Sequence, residues 1–217
     1  MIELLKKIVF LGQFKKTYSQ DKEDLFIVDY FKDLDKGYYV DIGCHHPKRF
    51  SNTYLLYKNG WNGLNVDANK FAIILFKIFR VRDENLCAIL SDSSQPVLFY
   101  EFNASALNGI LSIDRVKKLI ELGFYIKRKK IITPISIQNL IKKYELKTKK
   151  INFFKIDIEG LDFEIVKKMN LKNLDIDLIM IEKSSEKDND KIIQYFKSQF
   201  YSPIHESNRN YIFEKNQ

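Results

Sequence analysis

Cysteine is scarce: Cys44 and Cys87 are the two in 217 residues, and they form no metal-ligand spacing. Neither a disulfide framework nor a zinc site is expected, and both read as reduced packing residues at predicted strand ends. Long apolar runs are missing too, since none approaches the roughly 20 residues that a membrane span requires. The start, Met1-Ile2-Glu3-Leu4-Leu5-Lys6-Lys7, carries an acid and no small-residue cleavage site, so the expected location is cytoplasmic. A GxGxxG loop is absent, which disfavours binding of a dinucleotide pyrophosphate. With no internal repeat, low-complexity tract or linker, the chain reads as one domain with a small extension.

Positive charge is what the chain has in surplus. The formal net charge is +8, and residues 115 to 150 hold twelve Lys/Arg against Glu121 and Glu145. Lys127-Arg128-Lys129-Lys130 is the densest point. Such a stripe is an electrostatic footprint for phosphates or simply a solvated face. No aromatic interleaving or nucleic-acid module accompanies it, so a polynucleotide is not the expected partner. An anionic small acceptor, such as a sugar nucleotide or a phosphorylated sugar, would use the same charge.

Apolar periodicity organises the rest. Helical spacing occurs at Leu4, Leu5, Ile8 and Leu11, then at Leu25, Ile27, Val28, Phe31 and Leu34 with Asp21 as the expected cap. Residues 1–35 therefore read as a helical extension and 36–217 as the main domain. Strands are predicted at Tyr38 to Ile42, Leu64 to Asp67 and about Leu86 to Leu90, with helices from Ser51 or Asn52 to Lys58 and over Phe71 to Phe76 between them. This alternation predicts a mostly parallel, Rossmann-like α/β sheet with helices on both faces. Inserted elements follow strand three: a strand over Val97 to Phe102, a helix from Ile113 to Leu122, a strand across Tyr125 to Thr133 and a helix from Ile137 to Tyr144. Core strands resume at Ile151 to Asp157 and Leu178 to Glu182, and Phe200 to His205 with Tyr211 to Phe213 predict an antiparallel C-terminal hairpin.

Two strand ends carry the chemistry. Val40-Asp41-Ile42-Gly43-Cys44-His45-His46 puts a carboxylate and a glycine at the end of the first strand, and Val66-Asp67-Ala68-Asn69 puts an acid at the end of the second, about 24 residues later. An acid at that interval reaches ribose hydroxyls in nucleotide-binding sheets; taken alone, Asp-x-Gly is equally a strand-to-turn junction. Lys155, Asp157 and Glu159 lie two apart at another strand end, where Glu159-Gly160 is alternatively a helix cap, and Glu182 ends the next strand. Carboxylates grouped in this way bind a cation or share acid/base work, and without a geometry they predict no metal.

The chain resembles the FkbM-type S-adenosylmethionine-dependent methyltransferases, a branch of the class I Rossmann-like methyltransferases. The resemblance covers about residues 38 to 214. It rests on Val40-Asp41-Ile42-Gly43, Arg49 to Tyr57 leading to Gly60-Trp61-Asn62-Gly63, Val66-Asp67-Ala68-Asn69, and above all Phe154-Lys155-Ile156-Asp157-Ile158-Glu159-Gly160-Leu161-Asp162. His45-His46-Pro47 departs from the commoner Asn and Gly after Asp-x-Gly-x.

What the resemblance implies is methyl transfer to an oxygen, commonly on a sugar of a surface glycan or on a natural product. Asp41 and Gly43 would border the methionine end of S-adenosylmethionine, Asp67 would accept the ribose hydroxyls, and Ala88 would lie against adenine. Asn52, Asn69 and Asp92 are further cofactor candidates. Asp157 is the first choice for a base, His45 and His46 are its rivals, and Lys155 and Glu159 are its expected helpers. Arg49, Asn108 and Glu182 are candidates for the acceptor. Two other functions stay open: an RNA or DNA methyltransferase using the basic segment, although an Asn/Asp-Pro-Pro-Tyr/Phe motif is missing, and a non-catalytic ligand- or protein-binding domain.

Overall fold

A computed structural model describes residues 17–91, 95–104, 107–158, 160–184 and 186–216. In chain order its elements are α1 (Glu23–Tyr30), β1 (Tyr38–Ile42), α2 (Tyr54–Lys58), β2 (Asn62–Asp67), α3 (Lys70–Phe79), β3 (Glu84–Cys87), β4 (Leu90–Ser91), β5 (Val97–Phe102), α4 (Ile113–Glu121), β6 (Ile126–Ile132), β7 (Ile135–Ser136), α5 (Ile137–Lys143), β8 (Lys150–Ile156), α6 (Asp162–Lys168), β9 (Asp175–Glu182), α7 (Glu186–Ser198), β10 (Tyr201–Glu206) and β11 (Asn210–Lys215). The main sheet has the order β10-β11-β9-β8-β1-β2-β3. β1, β2, β3, β8 and β9 run parallel, and β11 pairs antiparallel with both β9 and β10.

Alternation along the strands fills two layers. Val40, Ile42, Phe154, Ile156, Ile179 and Ile181 meet Ile137 and Leu140 of α5, Ile165 and Val166 of α6 and Ile192 and Phe196 of α7. Their neighbours Tyr39, Phe153, Leu178 and Met180 face the other way, onto Ile27, Phe31, Leu56 and Trp61. Ile27 and Phe31 bind α1 into the same packed body as the sheet. Burial on both faces is why these strands read as near-continuous apolar runs.

The order of strands reverses direction beside β1: the chain moves from β1 to β2 and β3 on one side, and from β8 to β9 on the other. Open α/β sheets form their ligand crevice at such a switch point, outside the carboxyl ends of the strands. Inserted between β3 and β8, β5 and β6 form a separate antiparallel ribbon, packed with α4 around Tyr100, Phe102, Val116 and Leu119.

Several boundaries differ from expectation for visible reasons. The third strand ends at Cys87, in register with Asp67, and Leu90–Ser91 instead pairs with Ile135–Ser136. Helix α2 begins at Tyr54, because Ser51 and Thr53 accept hydrogen bonds from Arg80. Asp21 does not cap α1: the N-cap is Lys22, in the left-handed region at φ 67° without a side-chain cap. The Asp21 amide instead donates to Glu23 at 3.1 Å. Cys44 is buried as expected, whereas Cys87 is exposed. The expected first helix near Leu4 to Leu11, with Asp92 and Glu159, lies outside the described residues.

Candidate active site

Sheet register brings the site together. Asp41 on β1 stands opposite Lys155 on β8, and both side chains point to the α1 side of the sheet by alternation with Val40 and Phe154. The Lys155 ammonium donates to the Gly43 carbonyl at 2.9 Å and lies 3.3 Å from Asp41 and 3.6 Å from Asp157. Burial would push the pKa of Lys155 down; Asp41 and Asp157 outweigh it and hold the ammonium above the usual lysine value. The Asp41 side chain is 1% exposed and that of Asp157 37%, so of these three charges Asp157 is the one that reaches the crevice. The other Asp41 oxygen accepts from Thr53 Oγ1 at 2.8 Å. Asp41 thus sits buried between Lys155 and Thr53, with its Oδ1 making no hydrogen bond.

Gly43 closes the floor of the crevice. It adopts φ +76°, and a Cβ there would lie 1.7 Å from the Asp157 carbonyl oxygen. What the missing side chain admits is the chain's own backbone at the end of β8, which the sequence reading had given to a ligand. The Gly43 amide bonds Val66 O at 2.9 Å and the Asp157 amide bonds Ile42 O at 3.0 Å.

The loop after Gly43 carries both histidines. His45 adopts φ 54°, and its amide donates to Asp67 Oδ2 at 2.8 Å while Asn69 N donates to Oδ1 at 2.7 Å. Burial raises the Asp67 pKa against these two amides. His46 Nδ1 accepts from Lys48 N and Arg49 N at 3.1 and 3.0 Å. That nitrogen is therefore occupied in organising the turn. Burial is the largest influence on His45, and it lowers the imidazole pKa against the attraction of Asp67. The unfolded chain then takes up this proton first, so His45 contributes stability above about pH 6.5 that is lost as pH falls. Replacement by Asn, which tolerates the left-handed region, is expected to flatten that loss. Melting temperatures of wild type and His45→Asn at about pH 7.5 and 5.5 check it; parallel pH profiles would refute it.

Other candidates have local partners. Asn69 caps α3, its Oδ1 accepting from Phe71 N and Ala72 N. Asn108 Oδ1 accepts from Phe102 N at 2.7 Å, which fixes the inserted loop. Asn52 is buried and donates through Nδ2 to Glu23 at 3.4 Å. The Ala88 amide donates to Asp67 O at 3.0 Å, which sets Ala88 at the end of β3. Glu182 stands half-buried at the end of β9, in register with Asn210. Arg49 is exposed, its guanidinium 5.2 Å from the Phe50 ring.

Three groups outside the candidate site residues hold the site in place. Arg80 is fully buried, 3.5 Å from Asp83, and donates to Pro47 O, Tyr39 Oη, Ser51 Oγ and both Thr53 oxygens. It links α3 to the loop that carries the histidines and, through Thr53, to Asp41. Asp162 accepts from Ile158 N at 2.7 Å and Gly160 N at 3.2 Å, folding the turn after Asp157. Glu23 accepts from Asn210 and Ser207 of the C-terminal hairpin. Asp162 closes the motif that carries the resemblance, Arg80 and Asp83 stand at an i,i+3 interval, and Glu23 has no comparable signal.

A doubly wound sheet with acids at the ends of β1, β2 and β8 around its switch point is a Rossmann-like nucleoside-binding fold, and its single antiparallel strand lies within the carboxyl-terminal half. The family model described as the methyltransferase FkbM domain matches residues 41–211. The chain belongs to the FkbM methyltransferase family. No curated relative matches it. Similar solved structures include the METTL16 MTase domain, with 8% identity over 90% of this chain, 66% of that chain and a TM-score of 0.49. A human methyltransferase 10 domain containing protein is similar with 11% identity over 99% and 94% of the two chains and a TM-score of 0.44. The O-methyltransferase NovP is similar with 10% identity over 90% and 78% and a TM-score of 0.43. This chain spans just under two thirds of the METTL16 domain. At such scores none of these likenesses bears on the acceptor.

Proposed function

We propose that the protein transfers the methyl group of S-adenosylmethionine to a hydroxyl of a sugar, a surface-glycan precursor or a related small molecule. The observation that carries this reading is the half-exposed Asp157 carboxylate at the switch point, held from behind by buried Lys155. The residues fit the cofactor by their chemistry. Asp67 spends one interaction per oxygen on the His45 and Asn69 amides, and a carboxylate has about four acceptor positions. Two remain for a ribose diol. Ala88 at the end of β3 offers a small apolar contact for adenine, and the 43–46 backbone borders the methionine end. No phosphate has to be met, in keeping with the absent glycine-rich loop.

The cofactor supplies a methyl group already activated on a sulfonium. The protein's task is to align the acceptor hydroxyl and to take its proton. Asp157 does the second, with Lys155 fixing its position. His45 is the second candidate, because burial favours its neutral form and His46 is occupied in its turn.

Calorimetry with S-adenosylhomocysteine and single-turnover assays against a panel of sugars, sugar phosphates and oligonucleotides test the assignment. Asp67→Ala is expected to weaken cofactor-product binding at least tenfold, about 1.4 kcal/mol. Asp157→Asn is expected to keep that affinity and to lower turnover about a hundredfold. Unchanged affinity in the first variant would remove Asp67 from the site; unchanged turnover in the second would move the base to His45. An oligonucleotide methylated in preference to every sugar would overturn the acceptor class.

A further inference from the structure

Beside the histidine loop lies a recess of about 690 Å³, formed by residues 17–21, the 48–50 loop and Arg209 in the turn between β10 and β11. We infer that it binds the phosphoryl end of an anionic acceptor, a sugar phosphate or nucleotide sugar, through the guanidinium groups of Arg49 and Arg209. The inference rests on the methyltransferase reading above and adds to it the charge of the substrate.

Size comes first. Small-molecule sites occupy roughly 300–1,000 Å³, so the recess suits one such ligand. Charge comes second. Lys48, Arg49 and Arg209 line the recess against the carboxylate of Asp21. The Lys48 ammonium rests over the Phe79 ring at 4.4 Å, which fixes it at the rim. Among the described residues neither guanidinium has a carboxylate within salt-bridge distance, although Arg80, Lys130, Lys150, Lys155, Lys167, Lys183, Lys191 and Lys215 are each paired with one. Two unpaired forks at one cavity leave a local surplus of positive charge. A guanidinium fork matches two oxygens of one phosphoryl group, and two forks match a dianion better than a single carboxylate.

Rigidity comes third. The Arg49 amide is held by His46 Nδ1 at 3.0 Å. Arg209 is held at both backbone ends, its amide donating to Ser207 Oγ at 3.3 Å and its carbonyl accepting from Lys183 N at 2.7 Å. The forks therefore project from fixed backbone, which lowers the ordering cost of binding. Position completes the case. Arg49 ends the loop that begins at Gly43 against Asp157, and Arg209 adjoins Asn210, the partner of Glu182 at the end of β9. Both forks thus stand on the carboxyl edge of the sheet that carries Asp157. The aromatic rings of Tyr18 and Phe50 in the same recess offer flat walls to a sugar or a base. The basic β6 ribbon belongs to a different sheet and takes no part.

The test uses the full chain and calorimetry with glucose 1-phosphate, UDP-glucose, glucose and a single-stranded oligonucleotide, alongside S-adenosylhomocysteine. Wild type is expected to bind at least one of the two phosphorylated probes and not glucose, with affinity falling as salt rises; the stronger of the two tells a sugar phosphate from a nucleotide sugar. Arg49→Ala/Arg209→Ala is expected to weaken that binding at least tenfold with S-adenosylhomocysteine affinity kept within about twofold. Arg49→Lys/Arg209→Lys should fall between. Both side chains are exposed, so the double variant keeps its fold. Equal binding of the phosphorylated probes by wild type and the alanine variant overturns the inference, as does no binding by a wild type that binds S-adenosylhomocysteine, or displacement of both probes by the oligonucleotide. Failure of S-adenosylhomocysteine to bind overturns the methyltransferase reading and the inference with it.

Discussion

Gly43→Ala is expected to lose roughly 2–5 kcal/mol of stability and with it measurable binding of S-adenosylhomocysteine. Two independent effects add. Holding a residue with a Cβ at φ +76° costs about 1–2 kcal/mol. The new Cβ also lies 1.7 Å from the Asp157 carbonyl oxygen, and that atom is backbone, so no rotamer change can relieve the overlap. Forcing volume into a packed site costs about 1–3 kcal/mol, occasionally more. Relief has to come from parting the ends of β1 and β8, which are tied by Asp157 N to Ile42 O, and this moves the carboxylate proposed as base. For a chain of this length the melting temperature should fall by roughly 4–20 °C. Gly60→Ala is the control: its φ is +92° and nothing lies within 4 Å of the added Cβ, so it bears the backbone cost without the collision. Equal losses in the two variants would show that crowding at Gly43 is absent.

That glycine also shows what a sequence does and does not disclose. Apolar runs, their period and the acids that end them were enough for the parallel sheet, the inserted ribbon and the antiparallel close, because strands buried on both faces leave a local pattern. The approach of Asp157 to Gly43 leaves none, since it joins residues 114 positions apart through the register of β1 with β8. Arg80 was missed for a similar reason. An arginine at the end of an apolar helix reads as a solvated terminus, and its partners at Tyr39, Pro47, Ser51 and Thr53 emerge once α3 is laid against β1. Asn52, Asn69 and Asn108 have local partners that the sequence does not announce. Short polar side chains near strand ends resemble ligand contacts, yet local backbone and Glu23 occupy them, as the competition between such side chains and backbone groups would have it. Asp162 closes the motif, but its hold on the Ile158 and Gly160 amides does not show there, because an acid at that position reads as an ordinary first-turn helix residue.

Lys155→Met is expected to cost about 3–5 kcal/mol, because it leaves the Asp41 charge buried without its cation. Asp41 is 1% exposed, so water cannot replace the ammonium, and one of its oxygens has no hydrogen-bond partner. Arg80 helps through Thr53 and has its own charge matched by Asp83, so it does not substitute for Lys155. Asp41→Asn in the same chain removes the orphaned charge and should recover a large part of the loss. A double-mutant cycle measured by urea unfolding then isolates the pair from the rest of the network. The sign with pH is fixed as well. The carboxylates hold the Lys155 pKa above its ordinary value despite burial, so the stabilisation is complete below about pH 10.4 and is lost only as pH rises through the folded value. The penalty of Lys155→Met should accordingly stay constant between about pH 6 and 9. Turnover separates support from chemistry: the double variant, refolded to near wild-type stability, should still lose turnover because Asp157 has lost the cation 3.6 Å behind it. Full turnover in that variant would restrict Lys155 to a structural role and leave Asp157 to act without an anchor.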